Sequence, residues 1–255
     1  MPSKYPVIRA RDLVIGYGQK AISTGISFDL ETDEILCLLG PNGSGKSTPF
    51  KTLMGLIPAQ GGELHIMNKA VQHWPRREFA RQVAYVPQAH DGVFPFTVEE
   101  IVLMGRTARI GRYSTPGKHD RDVAAHCLQK LNILHLGQRP YTEISGGERQ
   151  LSLIARAMAQ EPKVLIMDEP TASLDFGNQI RVLEHIRQLK NQGMAILLCT
   201  HQPEHALKVA DRVALFRDGG IHYCGPAHET MTPHRLAWLY DLDPAQIPAM
   251  AEAIN

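Results

Sequence analysis

The stretch Gly40-Pro41-Asn42-Gly43-Ser44-Gly45-Lys46-Ser47-Thr48 constrains the fold more than any other part of the chain. It follows the apolar run Ile35-Leu36-Cys37-Leu38-Leu39 and precedes a segment with helical potential, Phe50 to Leu56. A strand, a glycine-rich turn ending in Gly-Lys-Ser and a helix form the layout of a phosphate-binding loop. Glycines let the backbone turn tightly and expose successive N–H groups to phosphate oxygens. The helix N-terminus adds its partial positive charge. In that layout Lys46 reaches the β- and γ-phosphates and the Ser47 hydroxyl holds Mg²⁺.

The bulk properties suit an α/β core of ordinary size. The chain has 255 residues, of which 44% are hydrophobic. A net charge of +1 with 21% charged residues argues against a nucleic-acid or polybasic membrane binder. No run of about eighteen apolar residues occurs, which excludes a transmembrane helix. Met1 to Tyr5 lacks an apolar signal segment, so the expectation is a cytosolic protein. Cys37, Cys127, Cys199 and Cys224 form no Cys-x-x-Cys pair and read as reduced, mostly buried thiols. His201 and His205 are spaced i, i+4, but Pro203 between them at a helix start argues against a metal pair.

Alternating apolar and polar residues predict strands at 7–15 and 24–30. The continuous apolar run at 35–39 suits a strand buried on both faces. Further strands are expected at 63–67, 83–86, 164–167, 195–199 and 212–216. Pro75 opens a short helix. From about residue 89 short helical pieces take over. Thr97-Val98-Glu99-Glu100 and Ser145-Gly146-Gly147-Glu148 have capping-box spacing. Ala124, Cys127, Leu128 and Leu131 mark one helix face. Asp175 is a plausible N-cap for a helix to Lys190, with Gly193 after its end. Strands alternating with helices imply a mostly parallel sheet.

Chemistry gathers at strand ends. The apolar run Val164-Leu165-Ile166-Met167 ends in Asp168 and Glu169. A buried strand delivering two acids to a sheet edge lets Asp168 hold Mg²⁺ and Glu169 orient or deprotonate a water. Gln88 closes another strand, where an amide can touch the metal or the water. His201 closes Leu197-Leu198-Cys199-Thr200, where an imidazole can hydrogen-bond a γ-phosphate oxygen. Ser145 before two glycines at a helix start is a second anion site.

With these residues in order, the chain resembles the ATP-binding subunit of an ATP-binding cassette (ABC) transporter over roughly residues 6–225. Tyr17 matches the aromatic that stacks on adenine, and Gly40 to Thr48 match the Walker A loop. Gln88 matches the Q-loop, and Ile144-Ser145-Gly146-Gly147-Glu148 the signature motif. Val164 to Glu169 match Walker B, Ala172-Ser173-Leu174-Asp175 the D-loop, and His201 the H-loop. The resemblance implies an α/β P-loop fold with a mostly parallel core sheet, an antiparallel N-terminal β part and an inserted helical subdomain. It implies a domain over 5–227, with core 5–88 and 160–227, helical subdomain 89–159, and a short helical tail over 228–255. It implies ATP and Mg²⁺ as ligands, and a head-to-tail dimer in which one copy's signature closes on the other's Walker A loop.

Two departures stand out. Glu148 occupies a position where the family most often has glutamine, and it keeps the capping acceptor. Pro49 falls just inside the Walker A helix. With Gly45 as N-cap, residue 49 would make the first intrahelical N–H bond, which proline lacks. Either the helix begins a little later or its first turn is distorted, and Pro49→Leu is expected to be neutral or stabilising.

The segment Val93 to Arg106 resembles that of importers for metal chelates and oxyanions: ferric siderophores, haem, cobalamin and molybdate. There the 89–106 region receives a helix of a transmembrane permease, with Phe94 and Phe96 as anchors. Such a system implies a periplasmic or surface substrate-binding protein, no nucleic-acid partner, and peripheral attachment at the cytoplasmic face of the inner membrane. An exporter subunit or a non-transport cassette is the alternative. The missing second cassette, charged linker and coiled-coil or zinc-bearing insertions argue against the latter.

Overall fold

The computed structural model describes residues 6–18, 20–89, 95–111 and 114–247, and it carries no description of the Ser47 side chain. The chain divides into two compact units, residues 1–74 with 189–255, and residues 75–188. Unit one begins with β1 (Ile8–Tyr17), β2 (Lys20–Leu30), β3 (Ile35–Leu39), α1 (Ser47–Leu53), β4 (Gly61–Ile66) and β5 (Lys69–Ala70). Unit two holds α2 (Arg76–Phe79), β6 (Val83–Val86), α3 (Val98–Leu103), α4 (Lys118–Lys130), α5 (Gly146–Ala159), β7 (Val164–Asp168) and most of α6 (Phe176–Asn191). Unit one resumes with β8 (Ala195–Thr200), α7 (Pro203–Val209), β9 (Arg212–Arg217), β10 (Gly220–Pro226), α8 (Ala227–Thr230) and α9 (Pro233–Tyr240).

In unit one, β2, β1, β4 and β5 form an antiparallel sheet in that order. Its alternating burial is that of strands with one face on the core. A second layer places β3 between β8 and β9, parallel to both, with β10 antiparallel at the edge. All of β3 and β8 is buried, as their unbroken apolar runs require. In unit two, β6 and β7 pair in parallel from Val83↔Val164 to Val86↔Met167. Helices α3 and α4 pack on α5. Arg106, only 3% exposed, pins this helical region by donating to Asp120 at 2.9 Å, Glu161 at 2.7 Å and the Ala159 carbonyl at 2.7 Å.

The fold class is the α/β one expected. Helix boundaries moved most at α1, which starts at Ser47 with Lys46 as N-cap. Pro49 is therefore the third helical residue, inside the first turn whose N–H groups have no intrahelical acceptor. Its ring removes no hydrogen bond, and the buried residue lines a small apolar cavity with Ile26, Phe28 and Phe50. The reason for expecting a gain from Pro49→Leu disappears. The expectation about Phe94 lies outside the described residues.

Candidate functional site

In unit one, β3 feeds the loop directly. The Gly40 N–H donates to the Thr200 carbonyl at 3.3 Å, joining the loop to the strand end that precedes His201. A Cβ on Gly40 would stand 2.2 Å from the Phe216 carbonyl oxygen, so only glycine fits this crossing. Gly43 and Gly45 take φ values of +80° and +93°, in the left-handed region. The Lys46 ammonium donates to the Gly40 and Pro41 carbonyls, both at 2.8 Å, and the residue is 7% exposed. The Ser44 hydroxyl is buried with no hydrogen-bond partner among the described residues. A buried cation beside an unpartnered hydroxyl, on a glycine turn entering a helix, is a cradle for an anion. Tyr17 ends β1 with 48% exposure, open enough to stack on a flat ring. Lys51 Nζ lies 3.4 Å from its hydroxyl and 6.0 Å from the ring centre.

In unit two, Asp168 is the last residue of β7, and the Tyr85 hydroxyl donates to its carboxylate at 3.3 Å. Glu169 follows with φ +47°, a left-handed conformation that is unfavourable for a residue with a Cβ. Gln88 donates to the Ser173 hydroxyl at 3.5 Å, and Ser173 is itself left-handed at φ +61°. The buried Gln150 accepts from the Ala89 N–H at 2.9 Å, fixing the chain just after Gln88. A cavity of about 280 Å³ is lined by Gln88, Gly146, Arg149, Ser173 and Leu174.

The signature turn is a complete capping box. Glu148 accepts from the Ser145 N–H and hydroxyl, both at 2.8 Å, and the Glu148 N–H donates to the Ser145 oxygen at 3.4 Å. Burial pushes the Glu148 carboxyl up, but the Ser145 backbone and hydroxyl bonds outweigh it and hold the group below its ordinary range. Gly147 has a packing role as well, because a Cβ there would stand 2.4 Å from Asn178. Asn178 in turn donates its N–H to Asp175 at 2.9 Å and its amide at 2.6 Å. Those two bonds hold the Asp175 carboxyl below the usual range and make it the cap of α6.

Sequence reasoning overlooked Tyr85, Gln150, Asn178 and Lys51. Each is an isolated polar residue without a spacing pattern. The buried amide Gln150, on the apolar face of α5, carried the best available signal, since such a group needs a partner. A second cavity in unit two, about 640 Å³, is lined by Met104, Thr107, Ala108, Arg76 and Arg77. Among the described residues no cluster of three or more His, Cys, Asp or Glu could hold a metal, and no helix is long and apolar enough to cross a membrane.

An anion cradle of this build at the end of a parallel strand defines the class of P-loop nucleotide hydrolases. Comparison with known proteins narrows it. Residues 23–172 match the family model described as ABC transporter. An ABC transporter ATP-binding protein of Haemophilus influenzae is 48% identical over 95% of this chain and 92% of its own length. The molybdate import ATP-binding protein MolC of the same organism is 37% identical, covering 85% of this chain and 81% of MolC. A solved metal-chelate type ABC transporter in an inward-facing conformation superposes with a TM-score of 0.83 at 33% identity, covering 93% of this chain and 90% of that one. The chain belongs to the ABC transporter family, as an ATP-binding, ATP-hydrolysing subunit.

Proposed function

We propose that this chain hydrolyses ATP to drive import of a metal chelate or an oxyanion through separate membrane permease subunits. The observation that carries the hydrolytic part is the Lys46 ammonium held at 2.8 Å over the Gly40 and Pro41 carbonyls, beside the unpartnered Ser44 hydroxyl. The transported class is supported by relatives named for molybdate import and for metal-chelate transport.

In this reading Tyr17 stacks on adenine, and the loop from Gly40 to Thr48 receives the phosphates. Lys46 bridges the β- and γ-phosphates. Ser47, Asp168 and Gln88 offer hydroxyl, carboxylate and amide oxygens, the donor types a hard cation takes, so Mg²⁺ fits this set. When bound, the ion neutralises charge developing on the phosphates. Glu169 orients the attacking water and takes its proton, and His201 hydrogen-bonds the γ-phosphate. Ser145, Gly146, Gly147 and Glu148 act on the nucleotide of a second copy, with Asp175 beside the junction.

The permease docks on the 89–106 region of a helical subdomain spanning 89–159. Support comes from Phe96 and Met104, which are 41% and 43% exposed, and from the 640 Å³ cavity that Met104 borders. An apolar groove flanked by Arg76 and Arg77 suits an amphipathic helix with an acidic end. The chain then works peripherally at the cytoplasmic face of the inner membrane, and a substrate-binding protein delivers cargo on the other side.

The test is reconstitution of the chain with its copurifying permease in vesicles. ATP-dependent uptake of molybdate or of a haem or siderophore complex is expected, and Glu169→Gln should abolish it. Uptake of none of these, beside intact ATP hydrolysis, would overturn the substrate class.

A further inference from the structure

The C-terminal helix α9 lies within unit one and makes contacts at the ends of two strands. In the sheet, β3 lies between β9 and β8, and its last residue, Leu39, pairs with Leu215 on one side and Thr200 on the other. Helix α9 grips the chain just past both partners. On the β9 side, Arg217 donates to the Trp238 carbonyl and to both carboxylate oxygens of Asp241 at 3.1 Å. Its guanidinium also stands 5.3 Å from the centre of the Trp238 ring. A cation satisfying a last-turn carbonyl is a stable way to end a helix, and Asp241 closes it with φ +56°. Trp238 meets His222 and Tyr223 edge-on, with centroids 4.9 and 5.7 Å away, which fixes α9 to β10. On the β8 side, the Tyr240 hydroxyl donates to the His201 carbonyl at 2.6 Å.

The carbonyls of the last β8 residue and of the residue after it thus have separate holders. That of Thr200 accepts from Gly40 of the phosphate loop, and that of His201 accepts from Tyr240. The peptide that carries the imidazole is restrained from both ends. Nothing in the motif pattern required this, because Tyr240 falls beyond the region that the family motifs cover.

We infer that Tyr240 is a positioning residue for His201, and that α9 serves as a strap holding the imidazole's backbone in register with the phosphate loop. The inference rests on the reading of His201 as the γ-phosphate partner. Tyr240→Phe keeps the ring and removes only the hydroxyl, so it isolates the bond.

Steady-state ATP hydrolysis, ATP affinity and thermal midpoint are measured on the full chain for Tyr240→Phe, His201→Ala and the double variant. The expected result is a fall in kcat of about two- to tenfold for Tyr240→Phe, the range a single hydrogen bond supports, with KM, affinity and midpoint unchanged. On the His201→Ala background the same change should slow turnover no further, since coupled residues do not add. An equal fall on that background would overturn the inference. So would an unchanged kcat in Tyr240→Phe beside an impaired His201→Ala. Wild-type turnover in His201→Ala would instead remove the role of His201, and the strap's purpose with it.

Discussion

At the scale of single residues, Gly40 bears the tightest constraint in the loop. Its φ is ordinary, so the requirement for glycine comes from the Phe216 carbonyl, 2.2 Å from where a Cβ would stand. Backbone cannot swing aside as a side-chain tip can, and β9 is paired on both edges. We predict that Gly40→Ala displaces β9 from the loop, lowers the thermal midpoint by several degrees and weakens ATP binding at least tenfold. Unchanged calorimetry and titration would contradict this. The motif pattern pointed to Gly40 but not to its reason, because the clash involves a carbonyl far along the chain, a contact known only once β3 and β9 pair. Tyr85 and Gln150 escaped notice for the same reason. A hydroxyl that bonds Asp168 and an amide that bonds Ala89 have no local signature.

At the scale of elements, the Ser145–Glu148 box both starts α5 and places a carboxylate on the serine assigned to a second copy's nucleotide. Glu148 has its carboxyl lowered, so its contribution to stability is present above the ordinary carboxylate range and is lost as pH falls through its folded value. In Glu148→Gln the neutral amide keeps an acceptor but loses the charge beside the helix N-terminus. We predict that this substitution lowers the thermal midpoint slightly at pH 7, with the difference shrinking as pH falls through the lowered folded value of Glu148. The same change removes a negative charge near an incoming phosphate, so it should also reduce the ATP concentration needed for half-maximal turnover. A midpoint difference that persists at acid pH, or a raised ATP requirement, would count against this. Both capping boxes, the apolar strands and the start of α6 were legible because their signals are local. The hairpin to β10 was missed although Asp218-Gly219 marks it. Both residues have positive φ, +50° and +77°, as a type I′ turn requires. Strand β10 lacks the alternation of its neighbours, since it is an edge strand with its middle exposed.

At the scale of the whole molecule, the central claim is that one copy holds an incomplete catalytic site. The loop supplies the cradle, and in the proposed reading the signature capping box is the second anion site of the chain. In the proposed head-to-tail arrangement these serve one nucleotide together only across two copies. Losing a general base slows turnover by about 10²–10⁴ without removing the groups that bind ATP. Glu169→Gln should therefore trap the closed pair. The direct measurement is the solution mass of the full-length Glu169→Gln variant by light scattering, with and without ATP and Mg²⁺. The account predicts monomer mass without nucleotide and twice that mass with it, reverting when Ser145→Trp blocks the signature face. A monomer mass at saturating ATP, with nucleotide binding verified in the same sample, would contradict it.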